Sequence, residues 1–242
     1  MSALPPADVL LIGAGGIGAP AAIALAEAGL RSLRVVDEDR VELSNLHRQI
    51  LFGEGDVGRP KIEAFADALG RRAPDLVVSA FAGRALPSTV AGLVSSARVV
   101  IDATDNFASR FLIADACRLA AVPVVHAAAV RWQATVIAAS PDGKPCYRCL
   151  FEDLPTGDAP DCASAGVVGP VCGVAGALAA DCALRILAGD ASAFGAITTY
   201  DGLRDVLRSV PVRARAGCLL CSGARAILDL DARRYVAAAC VS

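Results

Sequence analysis

Aromatic residues are scarce in this chain, 5% of its 242 residues. Much of the apolar 55% is Ala and Val instead, a composition that suits tightly packed helix–sheet layers better than an aromatic-lined pocket. A basic excess is also missing. The formal charge of −2 argues against nucleic-acid binding, which usually shows a basic stripe. Met1 to Asp8 carry no basic residue and no apolar stretch of their own, so no secretory signal is expected and the expected location is cytoplasmic. Nine cysteines, an odd number, make a disulfide framework unexpected in that setting. Clustered cysteines then point to metal binding or catalysis. The longest uncharged run, Cys162 to Ala180, has the length of a membrane span. Pro170, Ser164 and several glycines interrupt it, so a buried loop-to-helix segment is expected and no membrane partner.

The first apolar run, Val9 to Ile12, reads as a buried strand that stops at glycine. An Ala-rich helix over Ala19–Ala28 closes at Gly29, and Leu33–Val36 is a second buried strand, ending at Asp37. Strand, glycine turn, helix and strand in that order imply a parallel sheet. The pattern continues with a helix over Lys61–Arg72, strands at Leu76–Ala80 and Val99–Ile101, a helix over Ala108–Ala120 and a strand at Val122–Val125. Beyond that the character changes. Thr135–Ala139 reads as a strand in a more open sheet, Phe151–Ala165 as a polar loop, and Val171–Leu187 as a helix closed by Gly189. Ala196–Tyr200 and Leu203–Leu207 suggest a late antiparallel pair. The expected class is α/β: a Rossmann-like mixed sheet, parallel in its N-terminal half and partly antiparallel in its C-terminal half. There is no internal repeat.

Gly13-Ala14-Gly15-Gly16-Ile17-Gly18 follows a strand and opens a helix. Backbone N–H groups in such a turn meet phosphate, and the helix N-terminus favours negative charge. Asp37 ends the next strand, where a carboxylate accepts hydrogen bonds from ribose hydroxyls. These features alone do not separate a dinucleotide from ATP. The following stretch, from Asp37 and Asp39 through Ser44-Asn45-Leu46-His47-Arg48-Gln49, is more telling. A triphosphate needs fork-shaped and amide donors, and Arg48 and Asn45 supply them. Lys61, after Gly58-Arg59-Pro60, adds a cation at a helix start. Asp102-Ala103-Thr104-Asp105-Asn106 follows a buried strand, and ligands gather at the carboxyl ends of parallel strands. Asp105 therefore suits Mg²⁺, which takes one or two carboxylates plus substrate oxygens. Either Asp102 or Asp105 could instead cap the next helix; capping does not explain both.

Two C-x-x-C pairs, Cys146/Cys149 and Cys218/Cys221, together make the ligand set of a tetrahedral structural Zn²⁺ site. A redox motif is the alternative for each pair alone. Cys162, in the polar loop, is either a nucleophile or a bystander. Cys117, Cys172 and Cys182 fall in helical patterns and read as core thiols, and Cys240 carries no signal. His126 reads as a core histidine at a strand end, and Trp132 as a packing residue or a wall of a peptide channel.

The glycine turn, Asp37, Ser44 to Gln49, Arg59-Pro60-Lys61 and Asp102 to Asn106 resemble, in order and spacing from Val9 to about Ser222, the MoeB/ThiF/HesA branch of the ubiquitin-activating-enzyme superfamily. The resemblance implies that Gly13, Gly15, Gly16, Gly18, Asp37, Asp39, Ser44, Asn45, Leu46, His47, Arg48, Lys61, Asp105 and Asn106 bind MgATP, with Arg48, Lys61 and Asp105 acting on the reaction and Cys162 matching a cysteine given thioester or acyl-disulfide chemistry in some members. It implies one domain over 1–242, with a nucleotide-binding half to about 135 and a carrier-binding and zinc half beyond. The implied reaction joins the C-terminal Gly-Gly carboxylate of a small ubiquitin-like sulfur-carrier protein to AMP. A homodimer, a structural zinc on the four paired cysteines and a separate sulfur-donor protein are further implications. Relatives carry a leading arginine that reaches the neighbouring subunit's ATP site, whereas no arginine precedes Arg31 here. A carrier-binding pseudoenzyme is therefore the first alternative. An NAD-dependent oxidoreductase is the second; it explains only the glycine turn and Asp37.

Overall fold

A computed structural model describes residues 4, 6–155 and 165–236. Within them the strands are β1 (Ala7–Ile12), β2 (Ser32–Asp37), β3 (Val77–Ala82), β4 (Ala97–Asp102), β5 (Val124–Val130), β6 (Gln133–Ala139), β7 (Ala196–Asp201) and β8 (Val206–Pro211). They form one sheet in the order β3-β2-β1-β4-β5-β6-β7-β8. β1 pairs parallel with β2 and β4, β2 with β3, and β4 with β5. From β5 onward every pairing is antiparallel. The expected mixed sheet is present.

Side chains alternate across a strand, and here both faces are covered. Val9, Leu11, Val35, Val99 and Ile101 face the helices α1 (Gly18–Glu27) and α2 (Lys61–Arg72). Leu10, Ile12, Val36 and Val100 face α3 (Val90–Val94), α4 (Phe107–Leu119) and the single turn α5 (Tyr147–Leu150). Two-sided burial is why the central strands are continuous apolar runs rather than alternating ones. Burying a side chain such as Phe65 or Leu11 contributes roughly 1.5–3 kcal/mol, and both are fully enclosed.

Helix α6 (Gly169–Leu187) lies against α1 and strands β4 to β6. Its buried positions, Val171, Cys172, Ala175, Gly176, Ala179, Ala180 and Ala183, recur at helical spacing. Small residues there let the two helices approach closely. Length and composition would allow this helix to cross a membrane, but its apolar stripe is spent on the sheet and α1.

Several boundaries differ from the sequence expectation. β5 runs to Val130 rather than ending at Val125, so His126 sits inside the strand and not at its end. The last strand is Val206–Pro211; Leu203 belongs to the turn before it, held by its N–H to Asp201 Oδ1 at 3.0 Å. Hydrophobic runs of four or five residues fix a strand's existence better than its register, because pairing partners set the ends. α3 was not anticipated; its five residues are too short to show a period. Trp132 does not pack inside: it is 43% exposed in the turn joining β5 to β6.

Beneath α4, Arg148 and Asp115 form a fully buried bidentate pair, Nε to Oδ1 at 2.7 Å and Nη2 to Oδ2 at 2.9 Å. Tyr235 donates to the same carboxylate at 2.9 Å, and the Phe111 ring lies 4.7 Å from the guanidinium carbon. Burial would lower the Arg148 pKa, but Asp115 outweighs it and the net shift is upward. Asp115→Ala removes the buried, bidentate partner of Arg148 and leaves only the exposed Asp153 carboxylate at 3.6 Å; it is expected to cost about 3–5 kcal/mol in urea unfolding. Asp115→Leu combined with Arg148→Met is expected to recover most of that loss, because no buried charge remains; equal destabilisation by the single and double variants would contradict the account.

Candidate nucleotide cleft and cysteine cluster

Three loops meet at the carboxyl ends of β1, β2 and β4. Gly13 adopts φ +101°, and a Cβ there would stand 2.7 Å from the Ala103 carbonyl oxygen. Gly18 is tighter still, its added Cβ falling 1.9 Å from the Gly13 oxygen. Only glycine permits this approach of turn, helix and neighbouring strand. α1 then begins with no side-chain cap and no acidic residue in its first turn; Ala19 N–H donates to the Gly15 carbonyl at 2.9 Å and Pro20 has no N–H, so the part of the turn that faces the cleft is Gly15 and Gly16 ahead of the helix.

The cleft has a volume of about 320 Å³ and is lined by Gly13, Gly15, Gly16, Asp37, Asp39, Asn45, Arg48, Lys61, Asp105 and Asn106, among others. The structure thus brings together ten of the fourteen nucleotide residues expected from sequence. Asp37 accepts from the Ala14 N–H at 2.8 Å and the Asp39 N–H at 2.9 Å, which locks the glycine turn to β2. Lys61 is buried, not a solvated surface lysine, and its Nζ meets Asp39 Oδ2 at 2.7 Å. Arg48 is held differently. Its Nη2 donates to Asn45 Oδ1 at 2.6 Å and its Nη1 lies 3.3 Å from His47 Nε2. Among the described residues no carboxylate pairs with it, so its charge is oriented by neutral groups and left for an incoming anion.

At the end of β4, Asn106 caps α4 by accepting the Ser109 N–H at 2.9 Å. Asp102 instead takes the Thr104 N–H at 3.0 Å and hydroxyl at 2.6 Å. Neither aspartate caps the helix. Asp105 is exposed, and its one hydrogen bond among the described residues is a long 3.5 Å contact from Asn106 Nδ2. A carboxylate so little engaged, facing phosphate-binding groups, fits a magnesium ligand.

Four expected residues lie off the cleft. Gly18 packs against the Gly13 carbonyl. Ser44 is exposed and donates to Glu42 at 3.3 Å, Leu46 packs on the core, and His47 contacts the Ser44 carbonyl at 2.9 Å through Nδ1. Successive side chains on the short 3₁₀ turn Leu43–Asn45 and the residues after it diverge, so a contiguous motif cannot all face one ligand. Cys162 lies outside the described residues.

Two contributors were given no site role from the sequence. Gln49, quoted in the Ser44–Gln49 motif and buried at 3% exposure, lines the cleft and leaves Oε1 without a partner among the described residues. Arg84, ion-paired to Glu38 at 2.9 Å on the rim, sits in a loop with no motif to mark it. Cys172, beyond its core role, also lines the cleft.

The two C-x-x-C pairs converge. All four sulfurs lie within 4.8 Å of one another, with Cys146–Cys218 at 3.5 Å and Cys149–Cys221 at 3.4 Å. A tetrahedral site with Zn–S bonds near 2.3 Å has sulfurs about 3.8 Å apart, so the cluster fits that ion. Burial raises the Cys146 thiol strongly and lifts Cys221 to about 12. At Cys218 burial is outweighed by the Leu220 and Cys221 backbone N–H groups, which bring it to about 7. Four thiolates this close cannot coexist without a cation among them.

Fold, cleft and cluster together define a Rossmann-like mixed-sheet protein with a phosphate-binding crevice and a cysteine-bound second half. The chain belongs to the ThiF family, which it matches over residues 1–220. It is 40% identical over 238 residues to the SAMP-activating enzyme E1 of Haloferax volcanii, covering 97% of this chain and 87% of that one. It is also 40% identical over 220 residues to the sulfur carrier protein ThiS adenylyltransferase of Escherichia coli, covering 90% and 87% respectively. The solved structure of Escherichia coli MccB with ATP aligns at TM-score 0.77 and 23% identity over 89% of this chain and 67% of that one, a likeness of fold alone.

Purified protein is expected to contain about one zinc per chain, the stoichiometry of a closed four-thiolate site. Elemental analysis and a thermal melt of Cys218→Ser check this: metal lost and the melting temperature lowered support the assignment, and a stable metal-free wild type removes it.

Proposed function

We propose that this chain is an ATP-dependent adenylyltransferase that activates the C-terminal carboxylate of a small ubiquitin-like sulfur-carrier protein. The observation that carries the proposal is Arg48, held by the Asn45 amide oxygen beside the glycine turn and lining the same crevice as Asp105. A dinucleotide site has no need of that unpaired guanidinium, and a triphosphate does.

The chemistry follows from charge. A carrier carboxylate oxygen attacks the α-phosphorus of ATP and forms a new O–P bond. The bond from that phosphorus to the α,β-bridging oxygen breaks, and pyrophosphate leaves with the electron pair. No proton must move, because the nucleophile is already ionised. Two anions have to meet, so the site's task is positive charge where negative charge builds. Arg48 and Lys61 supply it at the phosphates, the amides of the glycine turn add partial charge, and Asp37 accepts from ribose. Asp105 is the ligand for Mg²⁺, which when bound neutralises phosphate oxygens. Asn106 keeps Asp105 clear of helix capping. Zn²⁺ on Cys146, Cys149, Cys218 and Cys221 has a structural role.

The product is an acyl-adenylate and the sulfur comes from a separate donor protein. A cytoplasmic homodimer is part of this reading, with thiol chemistry at Cys162 following adenylation.

The test is carrier-dependent ATP–pyrophosphate exchange with ThiS-type and molybdopterin-type carriers. Wild type is expected to exchange with one of them. Asp105→Ala is expected to lose about a hundredfold, the scale of one removed charge-stabilising group, with unchanged thermal stability. Retained exchange in Asp105→Ala contradicts its role, and no exchange with any carrier contradicts the activity. In the same assay Cys162→Ala is expected to keep full exchange, since adenylate formation precedes any thiol attack.

A further inference from the structure

The crevice extends along the carboxyl ends of the strands from β1 toward the sheet edge at β3. Gly15 and Gly16 follow β1, Asp37 ends β2 with Glu38 after it, and Gly83 and Arg84 follow β3; all six line the crevice. The β3 end is firmly built. Gly83 donates its N–H to the Asp37 carbonyl at 3.2 Å, one step beyond the β2–β3 ladder. The Thr89 hydroxyl donates to the Arg84 carbonyl at 3.2 Å, and Ala85 is buried in the core. The Arg84 side chain therefore projects from an anchored loop. Its Nε meets Glu38 Oε1 at 2.9 Å, and the two side chains are 56% and 45% exposed. An exposed pair of that kind adds little to stability, so the fold itself has small use for it.

The order of groups along the crevice supplies a use. Phosphate belongs at Gly15 and Gly16, where the Arg48 side chain lies against the turn, and ribose hydroxyls belong at Asp37. From Asp37 a nucleotide has two directions in which to run. The phosphates take the one toward β1, so the base takes the other, over the ends of β2 and β3. The wall there is apolar, because Val36 and Ala85 line the crevice and belong to the buried core. None of the described residues lining the crevice is aromatic, so a base finds no ring to stack on. A guanidinium is the planar substitute: it stacks on aromatic faces and is more weakly hydrated than an ammonium. Glu38 engages Arg84 at Nε, whose N–H lies in the guanidinium plane, and a contact in that plane leaves the two faces of the group open to a ring.

We propose that Arg84 lies against the face of the nucleotide base and that Glu38 holds the guanidinium in place there, so that the pair closes the crevice over the base and raises nucleotide affinity without touching the phosphates. The assignment rests on the nucleotide of the adenylyltransferase reading. It adds a binding residue and a positioning residue that lie outside the motifs marking that site in the sequence.

The test separates base from phosphate. Calorimetric titration of the purified chain with MgATP is set against titration with the magnesium salt of ribose 5-triphosphate, which keeps ribose and phosphates and lacks the base. Arg84→Ala is expected to raise the MgATP Kd about threefold to tenfold, the scale of one cation–π contact, and to leave the Kd of the baseless ligand unchanged. Arg84→Lys keeps the charge and loses the plane, so it is expected to recover only part of the loss. Glu38→Gln is expected to weaken MgATP in the same direction and by less. In exchange assays the ATP KM of Arg84→Ala is expected to rise by the same factor with the carrier KM unchanged. Equal weakening of both ligands overturns the assignment, because a charge acting on phosphate does that. An unchanged MgATP Kd overturns it as well, and full recovery by Arg84→Lys overturns the stacking. Wild type that binds MgATP but exchanges with no carrier overturns the activity and leaves the base contact standing. Wild type that binds no MgATP overturns both.

Discussion

The backbone of Gly13 lies so close to the carbonyl of Ala103 that a single added carbon would overlap it, and the cleft depends on that contact. β1 is flanked by β2 on one side and β4 on the other; the chain winds from β1 out to β3 and then crosses back to β4, so a crevice opens at the carboxyl end of β1. Closing the glycine turn onto the end of β4 puts Gly15 and Gly16, the carboxylate ending β2 and the Asp102–Asn106 segment around one space. Lys61 and Arg48 reach the same space from the long β2–β3 connection.

Within that frame the polar groups divide their duties. Asp37 ties down the glycine turn, Asp102 holds Thr104 and His126, and Asn106 caps α4. Each of these satisfies a backbone or ring donor that burial would otherwise strand. What remains lightly engaged, Arg48 and Asp105, are one cation and one anion, the pair a metal-bound triphosphate requires. The same helix α4 reaches the cysteine cluster through Asp115 and Arg148, since Arg148 stands between two of the four sulfur ligands. The cluster is thereby braced against the element that carries Asn106, and the second half of the chain is held to the first by sulfur and by a buried ion pair.

Two relatives at 40% identity are a SAMP-activating enzyme and a sulfur carrier protein ThiS adenylyltransferase, whereas the MccB structures share the sheet at 22–23% identity. The β5–β6 side of the sheet is where this chain differs from a plain doubly wound domain: the strands turn antiparallel there.

Much of the molecule was legible in the sequence. The strand–glycine–helix pattern, the parallel-to-antiparallel change and the helix Lys61–Arg72 are local, because hydrophobic period and glycine or proline punctuation set them directly. Arg48, Lys61, Asp105 and the four paired cysteines were identifiable because their chemistry is unusual at that spacing. The sequence could not say that Lys61 would be buried against Asp39, that His47 would turn away to steady Arg48, or that Asn106 rather than an aspartate would cap α4. Nor could it give Gln49 and Arg84 their places at the cleft, or enclose His126 against Asp102. Those outcomes depend on which side chains meet across elements distant in the chain, and that is settled only when packing fixes the register of each strand and the rotation of each helix.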